Sequence, residues 1–271
     1  VTDADWTDGT DGEQAPIPKQ PQRDYSKITE ATPEFRARIE RMLADLPAYD
    51  GEERDVENSD SARDAVRREI DHRTWVDSLR AAEKMDLAEW RLEKLAADQH
   101  ARELGIIART LRRPRYRNVV LTGSTGPGKT SAAIALGWAA VDAGLTVRFL
   151  DHAKYLLWLQ PDKMPAPPNP YAGITAAQLR ARALSCDLLV LDDLGAGQDQ
   201  QAPASEHVTK ETLQLVGDRA DTPGKITVTT TNLRSEALTL MFGDRFMSRL
   251  SKEGKALKFT GPDRRGKRLT F

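Results

Sequence analysis

The stretch Gly123-Ser124-Thr125-Gly126-Pro127-Gly128-Lys129-Thr130 decides the fold. It follows a short β-rich apolar run, Asn118-Val119-Val120-Leu121-Thr122, and leads into Ser131-Ala132-Ala133-Ile134-Ala135-Leu136-Gly137-Trp138, whose composition favours a helix. The spacing G-x-x-x-x-G-K-[ST] thus stands in the strand, loop and helix setting that a phosphate-binding loop requires. Glycines let the backbone wrap closely and aim its N–H groups at a β-phosphate, where the helix N-terminus adds positive potential. Gly123, Ser124, Thr125, Gly126, Pro127, Gly128, Lys129 and Thr130 are therefore the expected nucleotide-binding residues. Lys129 is expected to reach the β- and γ-phosphates of ATP as the only lysine there, and the Thr130 hydroxyl to ligate Mg2+.

Downstream, Leu188-Leu189-Val190-Leu191 reads as a buried strand ending in Asp192-Asp193. A carboxylate at a strand's C-terminal end beside the phosphate loop holds the Mg2+ shell, which assigns Asp192 to the metal. Asp193, expected on the other side of the strand, can polarise the attacking water, so the tandem acids favour hydrolysis over binding alone. The plainer reading of such a pair is an N-cap or an exposed turn. A third run, Lys225-Ile226-Thr227-Val228-Thr229-Thr230-Thr231-Asn232, ends in a side chain that orients the water, contacts the γ-phosphate or merely forms a turn. Thr146-Val147-Arg148-Phe149-Leu150 supplies another strand, helices are expected over 153–159, 175–184 and 206–220, and the Pro-rich stretch 161–170 reads as a surface loop. Strands alternating with helices predict an α/β fold, a parallel sheet covered on both faces.

The 271 residues carry 40 Lys and Arg against 41 Asp and Glu, a formal charge of −1, and 39% are apolar. That can fill a core and excludes a uniformly basic coat protein. The charge is uneven, however. Residues 1–60 hold 16 acids and 7 bases, residues 61–117 hold 14 bases and 10 acids, and the chain from Asp244 onward holds 9 bases and 3 acids. Cys186 is the single cysteine, which excludes an intramolecular disulfide and a multi-cysteine zinc site and fits a reducing compartment. The histidines, at 72, 100, 152 and 207, form no ligand pair. No apolar run approaches the ~18 residues of a membrane span, and the acidic start is unlike a signal peptide. A cytoplasmic protein without a membrane partner is the expectation.

Four segments are expected. Residues 1–31 are too polar to offset their ordering entropy and read as a disordered tail. Residues 32–60 read as a short amphipathic helix, with Phe35, Ile39, Met42, Leu43 and Leu46 at helical spacing, followed by an acidic linker. That helix either docks on a partner or folds back on its own chain. Residues 61–112 have no proline or strand-like run and read as a helical, partner-binding region of two or three helices; residues 113–271 form the nucleotide-binding domain. The run Arg109-Thr110-Leu111-Arg112-Arg113-Pro114-Arg115-Tyr116-Arg117 places five arginines in nine residues, suited to a phosphate backbone or to a solvated domain junction.

These residues resemble the bacterial DnaC/IstB group of AAA+ ATPases, which covers helicase loaders and transposition helper ATPases. The likeness runs from Arg113 to the C-terminus and is strongest in Gly123 to Thr130, in Asp187-Leu188-Leu189-Val190-Leu191-Asp192-Asp193-Leu194-Gly195 and in Thr229-Thr230-Thr231-Asn232-Leu233. It implies an AAA+ P-loop NTPase sheet, preceded by a helical region, with Asn232 as sensor 1. The segment from Glu206 to Arg219 is similar to the family's helix that ends in an arginine before the sensor strand. The stretch Phe242-Gly243-Asp244-Arg245-Phe246-Met247-Ser248-Arg249-Leu250 looks like its arginine-finger helix, with Arg249 at the finger position and Arg245 one turn earlier. Hydrolysis spreads negative charge over the γ-phosphoryl oxygens, which a neighbouring subunit's guanidinium can stabilise. A surface arginine on a basic helix is the plainer reading. Only 39 residues follow Asn232, which leaves no room for the helical lid domain of many AAA+ proteins and leaves Arg264, Arg265 and Arg268 open to either phosphate or DNA.

The resemblance implies a replicative DNA helicase as partner, bound through the N-terminal region, with single-stranded DNA and a homo-oligomer formed in the ATP-bound state. One alternative is a transposition helper ATPase acting on duplex DNA with a transposase. Another is an ATP-switched adaptor with negligible turnover. A small-molecule kinase is disfavoured, because the sequence shows no acceptor-site signature.

Overall fold

The computed structural model describes residues 37, 53–160, 174–199 and 201–264 and is built on five strands: β1 (Asn118–Gly123), β2 (Val147–Asp151), β3 (Leu188–Asp192), β4 (Ile226–Thr231) and β5 (Gly254–Phe259). All pair in parallel, in the order β2-β3-β4-β1-β5. Every residue of β3 and β4 is buried, as central strands covered on both faces must be. Side-chain alternation divides them between two cores. Leu188, Val190, Ile226 and Val228 join the first, with Val119 and Leu121; Leu189 and Leu191 join the second.

From Glu53 onward, the described residues form eight α-helices that connect the strands or cover the sheet: α1 (Glu53–Ala81), α2 (Ala101–Arg109), α3 (Lys129–Asp142), α4 (His152–Trp158), α5 (Ala176–Ser185), α6 (Glu206–Asp221), α7 (Ser235–Phe242) and α8 (Asp244–Ser251). The first three lie over the first core and the others over the second. The starts follow from capping chemistry. Asp151 accepts from the Lys154 N–H at 3.0 Å, Thr175 and Gln178 form a reciprocal capping box, and Ser205 accepts from the Val208 N–H. These elements fall within a residue or two of the expected ones.

Three expectations need correction. The helix α1 begins at Glu53, inside the stretch expected to be an acidic linker. Its second half packs on the sheet, and once that half is fixed each further residue is added by one hydrogen bond without a new nucleation cost. Second, residues 61–112 are not a separate unit. Trp75, Leu79, Leu104, Ile107 and Leu111 belong to the same core as Leu121, Ile134, Phe149 and Val190. The Trp75 ring lies against Gly137 of α3 so closely that a Cβ there would stand 2.6 Å from it. The Ser78 hydroxyl accepts from the Phe149 N–H at 3.0 Å, so α1 covers the free edge of β2. Third, β5 was not anticipated, because its lysines hide the alternation that buries only Leu257 and Phe259.

The expected tail at 1–31, the Pro-rich loop, Arg265 and Arg268 lie outside the described residues, as does the amphipathic helix apart from Ala37, which is helical. Among the described residues no helix follows β5, and none is long and apolar enough to cross a membrane.

Two arginines cross-tie the N-terminal ends of the strands. Arg219, 1% exposed at the end of α6, donates to the carbonyls of Ala183 (2.8 Å), Cys186 (2.9 Å) and Ile226 (2.6 Å) and to the Thr227 hydroxyl (3.1 Å). Its burial depresses the guanidinium pKa, and this set of acceptors compensates the charge. Arg117, just before β1, donates to the carbonyls of Arg219, Ala220 and Thr222 and pairs with Glu253.

Candidate nucleotide site

Because β1 lies between β4 and β5 while β2 and β3 stand beyond β4, the C-terminal ends of β1, β3 and β4 open a crevice at a change of chain direction. The phosphate loop fills one side of it. Gly126 and Gly128 take φ values of +100° and +98°, and a Cβ at either would collide, with the Asp263 carboxylate at 2.2 Å or the Gln99 amide at 2.1 Å. Both glycines are thus needed for conformation and for space. The Lys129 ammonium donates to the carbonyls of Gly123 (3.0 Å) and Ser124 and to Asn232 Oδ1 (2.8 Å).

Asp192 ends β3 only 1% exposed. Its Oδ1 accepts from Thr130 Oγ1 at 2.9 Å and from Thr230 Oγ1 at 2.7 Å, while Oδ2 is buried without a hydrogen bond. Burial pushes its pKa up, against the Thr230 hydroxyl, the Lys84 charge and the Thr130 hydroxyl. A buried carboxylate oxygen without a hydrogen bond, beside a threonine hydroxyl, is an oxygen donor set that fits Mg2+. The structure brings Thr130 and Asp192 within hydrogen-bonding distance of each other.

Asp193 departs from the expected geometry. The strand ends at Asp192, so its alternation does not carry one residue further; Asp193 turns into the left-handed region at φ +58° and lines the same cavity as Asp192. Its Oδ1 accepts from Asn232 Nδ2 at 3.2 Å, and its N–H donates to Thr230 Oγ1 at 2.8 Å. Asn232 therefore bridges the loop lysine and the second carboxylate. Thr230 was missed by sequence reasoning, although a threonine on a buried strand beside Asp192 is a signal of a polar contact.

The cavity holds about 580 Å³. Its remaining wall comes from the turn after α1, which contributes Lys84, Leu87 and Trp90, and from Arg264, whose N–H donates to the Gly126 carbonyl at 2.9 Å. Lys129 is accordingly not the only lysine at the site. The Lys84 ammonium stands 3.5 Å from Asp192 Oδ2. No motif marks it in the sequence.

The structure does not bring Arg249 to this cavity. It sits on α8, paired with Asp221, whose carboxylate also accepts from Lys252 at 3.0 Å. Of the arginine-rich run, Arg117 is spent on backbone carbonyls, whereas Arg109, Arg112, Arg113 and Arg115 are exposed. His152 is buried between α4, α6 and the turn after β3: a ring nitrogen lies 2.9 Å from the Thr212 hydroxyl, and the Gly195 N–H donates to Nδ1 at 3.4 Å. Burial lowers its pKa to about 4.

The model of a family described as IstB-like ATP binding protein matches residues 49–252. Among solved structures, a DnaC helicase loader superposes with a TM-score of 0.51 at 21% identity, over 65% of this chain and 99% of that one. A DnaI structure gives 0.52 at 16% identity, over 66% and 93%. An AMPPCP-bound DnaA from Aquifex aeolicus gives 0.49 at 20% identity over 63% of this chain, which spans about half of that relative's length, 50%. At these identities the DnaC and DnaI matches show a shared AAA+ fold. No curated protein matches the chain.

Proposed function

The chain belongs to the IstB-like ATP-binding family, and from that premise we propose that it hydrolyses ATP and uses the cycle to load or remodel a replicative helicase on single-stranded DNA, as a homo-oligomer in its ATP-bound state. The observation that carries the ATPase reading is the chain Lys129, Asn232, Asp193. A lysine for the phosphates, an amide and an unligated carboxylate share one cavity, so the amide can sense the γ-phosphate while orienting the base. Lys129 exchanges the carbonyls of Gly123 and Ser124 for phosphate oxygens. Thr130 and Asp192 would hold Mg2+, which when bound would supply positive charge to offset that of the phosphates. Asp193 takes the proton from the attacking water.

Arg249 supports the oligomeric reading, because it is partly exposed on a helix that does not line its own chain's cavity, where a neighbour's nucleotide could draw it away from Asp221. Exposed arginines at 109, 112, 113 and 115 support a nucleic-acid surface. A second reading, which the IstB likeness leaves open, is a transposition helper acting with a transposase on duplex DNA. Steady-state ATPase of the wild type and Asp193→Asn, each with single-stranded and with double-stranded DNA, tests both. A loss of roughly 10²-fold or more on substitution is expected, with stimulation by single strands; stimulation by duplex alone selects the transposition reading, and an unimpaired variant removes Asp193 from catalysis.

A further inference from the structure

Lys84 belongs to no motif and comes from the turn after α1. That turn is fixed from several directions. The Lys84 N–H donates to the Leu79 carbonyl at 2.9 Å and the Glu83 N–H to Arg80 at 3.0 Å. Glu83 adopts φ +58°, and its carboxylate pairs with Lys154 of α4 at 2.8 Å. Trp75 anchors the helix behind it on Gly137. The backbone of Lys84 is thereby held beside the cavity while its side chain, 27% exposed, retains room to swing. Its ammonium faces the one oxygen of Asp192 that has no hydrogen bond, at 3.5 Å, in the corner where Thr130 and Asp192 would hold a metal.

Two cations at contact distance of that oxygen compete for it. An ammonium and a divalent ion beside the same buried carboxylate repel each other in a medium that screens poorly. We propose that Lys84 is a resident counter-cation of the metal corner: it neutralises Asp192 when no metal is present, lets ATP bind without metal, and yields the carboxylate when a divalent ion enters with the nucleotide. The inference rests on the ATP-binding reading of the cavity. It makes metal and lysine competitors, so nucleotide affinity is buffered against loss of Mg2+, and removal of the lysine must strengthen the coupling between metal and nucleotide.

The test is equilibrium binding of a fluorescent ATP analogue to the full chain, with saturating Mg2+ or with EDTA, for wild type, Lys84→Met and Lys84→Arg. In Lys84→Met, metal-free affinity is expected to fall about tenfold and the half-saturating Mg2+ concentration to fall as well, because the competing charge is gone. Lys84→Arg, which keeps the charge, should follow the wild type. An unchanged ratio of metal-bound to metal-free affinity in Lys84→Met overturns the inference. Lys84→Arg behaving like Lys84→Met overturns the assignment to charge. A wild type that binds no nucleotide even with Mg2+ overturns the reading of the cavity itself, and with it the role of Lys84.

Discussion

Replacing Trp75 with alanine should destabilise the nucleotide-binding domain itself, although Trp75 lies far upstream of every nucleotide motif. Its side chain is completely buried against Gly137, edge-on to Trp138 at 6.1 Å and tilted over Phe149 at 6.1 Å. Burying an indole removes about 200 Å² from water, worth about 5 kcal/mol at ~25 cal/mol per Å². The alanine methyl keeps about 0.8 kcal/mol of that. The indole N–H has no hydrogen-bond partner, so deleting it relieves a desolvation cost of about 1 kcal/mol. A net loss of about 3 kcal/mol results, at the low end of the range of about 3 to 5 kcal/mol for removing a buried aromatic. It should lower Tm by about 6 to 12 °C at roughly 2–4 °C per kcal/mol. Urea unfolding followed by far-ultraviolet circular dichroism measures this without relying on the lost fluorophore. A loss below about 1 kcal/mol, or a wild type that unfolds in two separate transitions, would refute a single core shared by α1 and the P-loop helix.

Lys129→Ala should abolish detectable binding of a fluorescent ATP analogue while leaving the far-ultraviolet spectrum unchanged; retained binding would contradict the assigned phosphate site. The His152 pKa, near 4 when folded against an ordinary 6.5, makes the folded state favour the neutral ring. That stabilisation is complete above the unfolded pKa and is lost as pH falls toward the folded one, so stability should drop by about 2 kcal/mol between pH 7 and pH 5. Urea titrations across that range should show His152→Asn with a shallower dependence than the wild type. An Arg249 variant should bind the nucleotide yet turn over slowly. Mixing it with Asp193→Asn should restore part of the activity if the finger acts between subunits, and a mixture no faster than its components would confine Arg249 to its own chain.

The legible parts of this protein are those whose chemistry demands fixed spacing along the chain. The phosphate loop is one such part, and Asp192 at the end of an apolar run is another, because a loop between strand and helix and a carboxylate at a strand tip are local features. The site residues that escaped notice arrive by tertiary packing. Lys84 reaches Asp192 only because α1 is laid across α3, and no local pattern encodes that placement. Asp193 was expected on the wrong side, since strand alternation was carried one residue past the point where the backbone turns left-handed. The start of α1 was illegible for an opposite reason: residues 53–60 carry one apolar side chain, Val56, too few for a hydrophobic pattern, and their helicity is propagated from the packed half. In β5 two inward residues among lysines are too few to mark a strand.

Arg219 and Arg117 gather backbone carbonyls at the N-terminal rim of the sheet, while the nucleotide residues stand at the C-terminal rim. The sheet is in effect bound like a book along its spine. Spreading β3 from β4 at that rim would break several charge-assisted hydrogen bonds at once and strand a buried guanidinium, whereas the opposite rim is tied by side chains that themselves line the cavity, Thr230 to Asp192 and Asp193 and Asn232 to Asp193. On the proposed function, a response to nucleotide is expected at the open page edges: the turn carrying Asp193, the tip of β4 and the turn carrying Lys84. Because the last of these continues from α1, a partner that bound this helix would be expected to feel the chemistry through its C-terminal end and not through any parting of the strands.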